Sequence, residues 1–451
     1  MKKLIILAAV MMLAVPAFAA VQNVKVSGDI ETFAVSQNEF DLLDTVGNDT
    51  VLDDLGFIAT ITRLRIDADL TDNVAATIRL ANEREWDVAC SATTNAEIDL
   101  AYLTMKEMFY SPLTLTIGRQ ELAYGSKLVV GDPTTNAVKS ADSGLTHAPF
   151  LSKMKAFDAI RGVLDYDPWT IDLLYAKVDE VFEATDSEDE DILGLNLAYD
   201  FVDYDGELEA YVFCVDGDVN STGATDIDAA IFGLRGSLVP ADGLVLGAEV
   251  AFQSGDYTTS SGSTAARNID AMAATVEGSY AWDNEYEPAI KLCYDYRSGQ
   301  KSDKSTGDYE AWLPLYEDQS KGLIADYLFA GVNGGVNSNA HIINLGASLK
   351  PMEDLTIGLD WFKYILDEEI TTSATGATIS SVYSSNSYTM KKDDDLGDEI
   401  DVTLLYDYSE DVQFGLKAGY FMPGDAFAYS TAADTTNDEA IEVIGSVVVS
   451  F

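Results

Sequence analysis

The chain carries nine arginines, and seven of them, Arg63, Arg65, Arg79, Arg119, Arg161, Arg235 and Arg297, sit in segments where apolar and polar residues alternate. A guanidinium holds five donors in one plane and grips a carboxylate at two points. Arginines on the polar phase of such segments, facing enclosed water, would attract and pass anionic solutes. Six of the seven have that phase. Arg63 and Arg65 oppose Leu64, Ile66 and Ala68, and Arg79 opposes Ile78 and Leu80. Arg161 opposes Ile160 and Leu164, Arg235 opposes Phe232 and Leu234, and Arg297 opposes Tyr294 and Tyr296. Arg119 shares the phase of Leu113, Leu115 and Ile117, so it needs either a bulge at Gly118 or a place near lipid headgroups.

Acids share the polar phase, among them Asp67, Asp69, Asp99, Asp172, Asp295, Glu399 and Asp401. Two readings follow: a network in which arginines and acids brace a wide wall, or a subset of arginines left unpaired toward the water. Catalysis has little to stand on. Asp142, Ser143 and His147 lie close in sequence, but a hydroxyl, an imidazole and a carboxylate must meet in a fixed geometry that a flexible loop does not supply. There is no phosphate-binding glycine loop, metal-spaced His/Cys cluster or cofactor motif. The expectation is a protein that is not an enzyme and uses no cofactor and no metal. Cys90, Cys214 and Cys293 are an odd number spaced far apart, which reads as isolated thiols, with a Cys90 to Cys214 bridge as the alternative.

The elements that must carry these residues are strands. Alternating segments of roughly ten residues, the length that crosses a bilayer as a tilted strand, are joined in turn by eight short connections and nine long polar ones, which makes eighteen strands. The last segment shows the two faces: Ile441, Val443, Gly445, Val447, Val449 and Phe451 on one, Glu442, Ser446 and Ser450 on the other. Proline, which cannot donate to a ladder, falls only at short turns or strand starts (Pro112, Pro168, Pro240, Pro288, Pro351) or in long loops (Pro133, Pro149, Pro314, Pro423). Tyr166, Trp169, Tyr204, Trp282 and Tyr286 gather at the short-turn ends as an interfacial girdle would. The fold expected is all-β: a closed antiparallel transmembrane β-barrel of about 18 strands with short periplasmic turns and long extracellular loops. A soluble sandwich or propeller would alternate too, yet has no reason to keep every second connection long.

Lys2 and Lys3, an apolar run from Leu4 to Val15 and the small residues of Ala17-Phe18-Ala19 read as a signal peptide over 1–19, leaving 20–451 as the barrel. After Ala20 no apolar stretch is long enough for a membrane helix. The formal charge is −49, or −51 once two signal lysines are removed (−49 − 2), and much of the acid lies in presumed loops. So acidic a chain repels nucleic acid. Its acidic runs solvate the loops or, alternatively, bridge through calcium or magnesium to anionic lipid, so outer-membrane lipid and lipopolysaccharide are the expected surroundings.

Ile117-Gly118-Arg119-Gln120-Glu121-Leu122, then Tyr124-Gly125, a loop, and Ala156-Phe157-Asp158-Ala159-Ile160-Arg161 resemble the outer-membrane porins of the alginate export family. Arg63-Leu64-Arg65, Leu80-Ala81-Asn82-Glu83-Arg84-Glu85 and Ala101-Tyr102-Leu103 fit the same resemblance, which covers mainly residues 58–178. It implies an eighteen-stranded barrel in the bacterial outer membrane whose arginine-lined lumen passes an anionic polysaccharide outward, helped by other envelope proteins. Arg63, Arg65, Arg79, Arg119 and Arg161 would then be candidates for solute contact. The chain lacks the family's tryptophan shortly before Phe157, and its acidity sits badly with a polyuronate.

The function expected is therefore an outer-membrane channel for anionic or carbohydrate solutes. A nonspecific diffusion porin and a surface adhesin with a plugged lumen are the alternatives. Residues 120–156, which include Lys127, Lys139, Lys153 and Lys155, either fold into the lumen or form a surface loop, and Tyr309, Trp312, Tyr316 and Tyr327 of the connection near 298–340 either stack on sugar rings or pack together.

Overall fold

In the computed structural model, the described residues are 23–40, 42, 54–86, 95–133, 145, 147, 149–179, 189–218, 225–259, 267–301, 307–328, 337–370, 377–380, 387–390, 393–427 and 438–451. The signal peptide expected over 1–19, together with Cys90, Lys139, Asp142 and Ser143, lies outside them. The strands are β1 (Asn23–Asn38), β2 (Asp54–Thr71), β3 (Val74–Glu85), β4 (Glu97–Lys106), β5 (Leu113–Glu121), β6 (Ala156–Asp165), β7 (Trp169–Asp179), β8 (Glu190–Phe201), β9 (Gly206–Asp218) and β10 (Thr225–Ala241). They continue with β11 (Leu244–Thr259), β12 (Arg267–Ala281), β13 (Ala289–Arg297), β14 (Ala340–Met352), β15 (Leu355–Ile365), β16 (Ala377–Ser380), β17 (Ser387–Met390), β18 (Asp395–Ser409), β19 (Val412–Pro423) and β20 (Ala440–Ser450). β16 and β17 form a separate hairpin, and the other eighteen make one antiparallel sheet.

The sheet closes because β1 pairs with β2 on one side and with β20 on the other, from Asp29↔Ser450 to Asn38↔Ile441. Gly28 and Phe451 exchange both backbone hydrogen bonds at 2.9 Å. Closure removes every edge, which in lipid would leave a row of unpaired amides. Asp72-Asn73, Asp242-Gly243, Glu353-Asp354 and Glu410-Asp411 link neighbouring strands directly, and each such turn is preceded by a shift of register. Gly243 takes φ 78 at one of them, a left-handed conformation that glycine adopts without a Cβ clash.

Ile78, Leu103, Ile160, Phe232, Leu345, Leu359 and Leu416 are exposed on the outer face, where lipid rather than water covers them. At the periplasmic rim Tyr166, Trp169, Tyr204, Trp282 and Tyr286 are also exposed, an arrangement suited to the headgroup level. No helix among the described residues is long and apolar enough to cross a membrane, which is no argument against a barrel.

The inner face differs from the uniformly polar lumen that alternation suggests. Along β2 the inward residues run Ala59 and Ile61, then Arg63, Arg65 and Asp67; along β10 they run Ile227, Ala229 and Ile231, then Arg235; along β12 Ile269, Ala271 and Ala273 precede Thr275. Toward the extracellular side these three strands are apolar inside, while polar residues such as Gln253 and Glu399 of other strands interrupt the apolar surface, and toward the periplasmic side the wall is charged. The physical reason lies in the long connections that fold back into the barrel and need an apolar surface to pack on.

Candidate functional site

Three stretches turn inward. Leu122, Tyr124, Leu128, Val129 and Val130 of the first, residues 122–133, pack against Phe157, Phe213 and Ile231 of the wall. Residues 149–155 bring Phe150 and Leu151 against Phe33, Ile61 and Ile444. In the third, 307–328, Tyr309, Trp312 and Tyr316 join the first cluster, while Ile324, Tyr327 and Leu328 pack against Phe362, Tyr364 and Phe421. The third stretch ends in a single helical turn, α1 (Ala325–Leu328). Residues 120–156 therefore do enter the lumen in their described parts. Tyr309, Trp312, Tyr316 and Tyr327 are buried in that packing, so they present no aromatic surface to a passing sugar.

Polar side chains of the wall bolt these stretches in place. Glu399 accepts N–H hydrogen bonds from Leu323 and Ile324 at 2.7 Å and from Ala325 at 2.9 Å. Gln253 donates to the Leu313 carbonyl at 2.7 Å and accepts from its N–H at 2.9 Å. Glu249 accepts from the Ser126 N–H at 2.8 Å and from the Tyr211 hydroxyl at 2.7 Å. Arg267 donates to the carbonyls of Gly307 and Asp308 at 2.8 Å and covers the Tyr309 ring at 5.3 Å. The bonds of Glu399, Gln253 and Glu249 to the loop backbone satisfy amides and a carbonyl that are buried or partly buried, whereas the carbonyls bound by Arg267 are exposed. The two loops also meet each other, since the Gly131 N–H donates to the Tyr316 carbonyl at 2.7 Å.

The sequence-picked arginines are arranged as follows. Arg63 pairs with Asp29 at 2.9 Å and Glu31 at 3.5 Å, and Arg65 with Asp67 at 2.9 Å. Arg79 binds Asp99 and Glu121. Arg161 donates to Asp172 at 2.6 Å and lies over the Tyr124 ring at 5.6 Å. Arg235 meets Glu207 at 3.2 Å and Glu209 at 3.6 Å. Arg297, 1 % exposed, is enclosed between Asp295, Glu317 and Gln319. Arg119 departs from the pore-lining expectation: the register runs through Gly118 without a shift, so no bulge redirects the side chain. It stays on the outer phase with Ile117, 3.5 Å from Asp158 near the extracellular end of β5, where the headgroup region can hydrate both charges.

Between residues 150–155, residues 317–327 and the wall strands β1, β19 and β20 lies a cavity of about 400 Å³, lined among others by Lys153, Lys155, Asp318, Ser320 and Lys417. Lys127 and Lys155 both bind Asp318, the former at 2.6 Å. Burial alone would raise that carboxyl, but the two lysines outweigh it and hold it below the usual carboxylate range. Glu317 and Asp326, deeper in the same region, are pushed by burial up to about 8 and about 7. Lys417 is an inward residue of β19, and the one trace of it in the sequence is its phase opposite Leu416. Lys153 and Lys155 were noted only as loop charge.

His147 pairs with Glu85 at 2.7 Å, while its suggested companions Asp142 and Ser143 lie outside the described residues. Cys214 and Cys293 are free thiols. Among the described residues no group of three or more His, Cys, Asp or Glu side chains could hold a metal ion.

An eighteen-stranded barrel with a lipid-facing apolar belt, an aromatic rim and loops folded into a charged lumen is an outer-membrane barrel of the porin type. More particularly, the chain belongs to the alginate export family, whose sequence model matches residues 25–441, and it is a protein of the bacterial outer membrane. Among curated proteins none matches it. Among solved structures it is similar to Pseudomonas aeruginosa OccK2 (OpdF) in complex with glucuronate, at 10 % identity and a TM-score of 0.56, over 96 % of this chain and 99 % of that one. Pseudomonas aeruginosa OpdQ aligns at 11 % identity and 0.55 over the same shares, as does OccK9 (OpdG) at 11 % and 0.55. At that identity the likeness establishes the fold.

Proposed function

We propose that the protein is a passive, selective channel for small anionic or carbohydrate solutes. The observation that carries this reading is the narrowing of the lumen by residues 122–133, 149–155 and 307–328, which leaves lysines of the loops and of β19 around the remaining space. Below the narrowing, Arg63, Arg65, Arg79, Arg161 and Arg235 stand on the inner wall, each paired with one or two carboxylates, so that the acids outnumber the arginines. That pairing favours a bracing role for much of the set and a modest share in attracting anions. The family name brings an exported anionic polysaccharide into view, and other envelope proteins with it; the filled lumen and the charge of −49 favour a small solute instead. A barrel of this shape holds glucuronate in the OccK2 structure, which makes uronates a sensible first test.

Planar-bilayer reversal potentials in a potassium chloride gradient test the selectivity, and replacing Arg63, Arg65 and Arg161 together should move the potential toward cations. Swelling of liposomes in neutral and in anionic sugars separates selective from general diffusion. A plugged surface barrel is the rival reading, favoured by the three apolar clusters that fill the extracellular half. Absence of any ionic current would establish that rival.

A further inference from the structure

The cavity between the two inward segments has the makings of a binding site rather than a mere gap. Its volume of about 400 Å³ lies within the ~300–1,000 Å³ typical of small-molecule sites. Its charges are unevenly satisfied. Lys155 is engaged by Asp318, with Asp132 at 3.9 Å, and Lys153 reaches Glu31 at 3.5 Å. Lys417 is exposed to the lumen and its ammonium forms no ion pair or hydrogen bond among the described residues. Its register partners Thr403 and Ile444 bring no charge. Glu442, the acid nearest along β20, is buried, receives the Gln37 amide at 2.6 Å and lies within electrostatic reach of Lys417 without forming an ion pair with it. At the back of the cavity burial raises Glu317 to about 8 and Asp326 to about 7, so at neutral pH the first is mostly protonated and the second about half ionised. Around the ammonium the walls are mixed: Phe33, Leu151 and Ile444 offer apolar surface, and Ser320 and Ser446 offer hydroxyls.

We propose that this cavity binds a small hydroxylated monocarboxylate, its carboxylate on the Lys417 ammonium and its hydroxylated body against the serines and the apolar wall. The proposal rests on the channel reading for its physiological sense, but not for its test. One uncompensated cation matches one negative charge; a polyanion would need several free cations along a continuous groove. Charge-assisted hydrogen bonds are the stronger kind, so the ammonium supplies affinity while the hydroxyls discriminate against simple short-chain acids.

Titration calorimetry of the folded full chain in detergent, with sodium gluconate as the probe, decides the matter. Gluconate should bind saturably, whereas glucose and acetate should bind at least about tenfold more weakly. Lys417→Gln should weaken gluconate about tenfold and Lys417→Arg should retain it, with the heat-dependent gel mobility of a closed barrel confirming that each variant is folded. Equal binding of glucose and gluconate by the unaltered protein, no gluconate binding at all, or full gluconate affinity in folded Lys417→Gln would each overturn the proposal. Conductance of the same preparation reports separately on the channel. Current without gluconate binding sinks the site alone, and Lys417-dependent binding without current sinks the channel alone.

Discussion

Glu399 of β18 and Ile324 of the inward segment, joined by a 2.7 Å hydrogen bond from the Ile324 N–H to Oε1, form the centre of a latch. The same carboxylate takes the N–H groups of Leu323 and Ala325 and the Tyr364 hydroxyl at 3.1 Å, so one side chain satisfies three amides at the entry to α1. Removing it leaves the Ile324 and Ala325 N–H groups buried without that acceptor, at about 1–3 kcal/mol each, while the Leu323 N–H keeps Asp401 at 3.1 Å and the Tyr364 hydroxyl keeps the Lys321 carbonyl at 2.7 Å. Glu399→Ala should therefore release residues 317–328 from the wall while the hydrogen-bonded barrel persists. Single-channel conductance should rise, and added protease should cleave within the released segment. Unchanged conductance together with resistance to protease would show that apolar packing alone retains the segment.

The same segment should respond to pH in both directions. Burial holds Glu317 at about 8 against the pull of Arg297, and Asp326 at about 7 against Lys321. A carboxyl whose folded value is raised contributes stability that is complete below its unfolded value, about 4, and that is lost as pH climbs through the folded one. Asp318 has the opposite sign: hydrogen bonds from Lys127 and Lys155 overcome its desolvation and depress it, so its contribution is present above the ordinary carboxylate range and is lost in stronger acid. The loops should be held most firmly at about pH 4, where Glu317 and Asp326 are still protonated in the folded state and Asp318 is ionised against its lysines. Conductance measured against symmetric pH should be lowest there, increase progressively toward about pH 8, and increase again in stronger acid. Glu317→Gln should flatten the alkaline limb alone, and a wild-type profile level from pH 5 to 9 would refute the assignment.

Arginine pairs of the wall should differ in worth according to their burial. Arg161 and Arg65 are equally exposed at 36 %, but their partners differ: Asp172 is 3 % exposed and Asp67 34 %. Removing one member of a buried pair strands a charge and costs about 3–5 kcal/mol; an exposed pair is worth about 0–1 kcal/mol. Arg161→Ala should lower the urea midpoint of vesicle-folded protein strongly, and Arg65→Ala should leave it nearly unchanged. Equal shifts would mean that the two environments are alike.

Much of the barrel could be read from the residues because its rule is local. Lipid outside demands an apolar residue at every second position, and the period-2 phase of Ile78, Ile160 or Leu416 is visible without knowing what each strand touches. Turn length and proline placement are local as well. The lumen is governed by contacts between residues far apart in sequence, such as Glu399 with Ile324 or Gln253 with Leu313. Ala59, Ile61, Ala229 and Ile231 lie on the inward phase near the extracellular ends, so their apolarity was the trace left by the inserted loops. Read strand by strand it looked like imperfect alternation. Arg119 was flagged by its phase alone, and the outward position follows from that phase once Gly118 keeps register.

Gly233 and Tyr211 offer the most exacting test of how wall and loop are coupled. A Cβ at Gly233 would stand 2.0 Å from the Tyr211 ring, which fills the space the missing side chain leaves. That ring is held there with its hydroxyl on Glu249, the carboxylate that also receives the Ser126 N–H of the first inward loop. Gly233→Val must push the ring aside, an overpacking cost of about 1–3 kcal/mol, and in doing so it loosens Glu249 from its hydroxyl donor. Tyr211→Ala empties the same space at about 3–5 kcal/mol, the usual cost of truncating a buried aromatic. In the double variant the valine enters the vacated space, so the combined loss of stability should fall short of the sum of the single losses by about 1–3 kcal/mol. Urea titrations of the four proteins in vesicles give that coupling directly, and strict additivity would mean that the ring does not depend on the glycine.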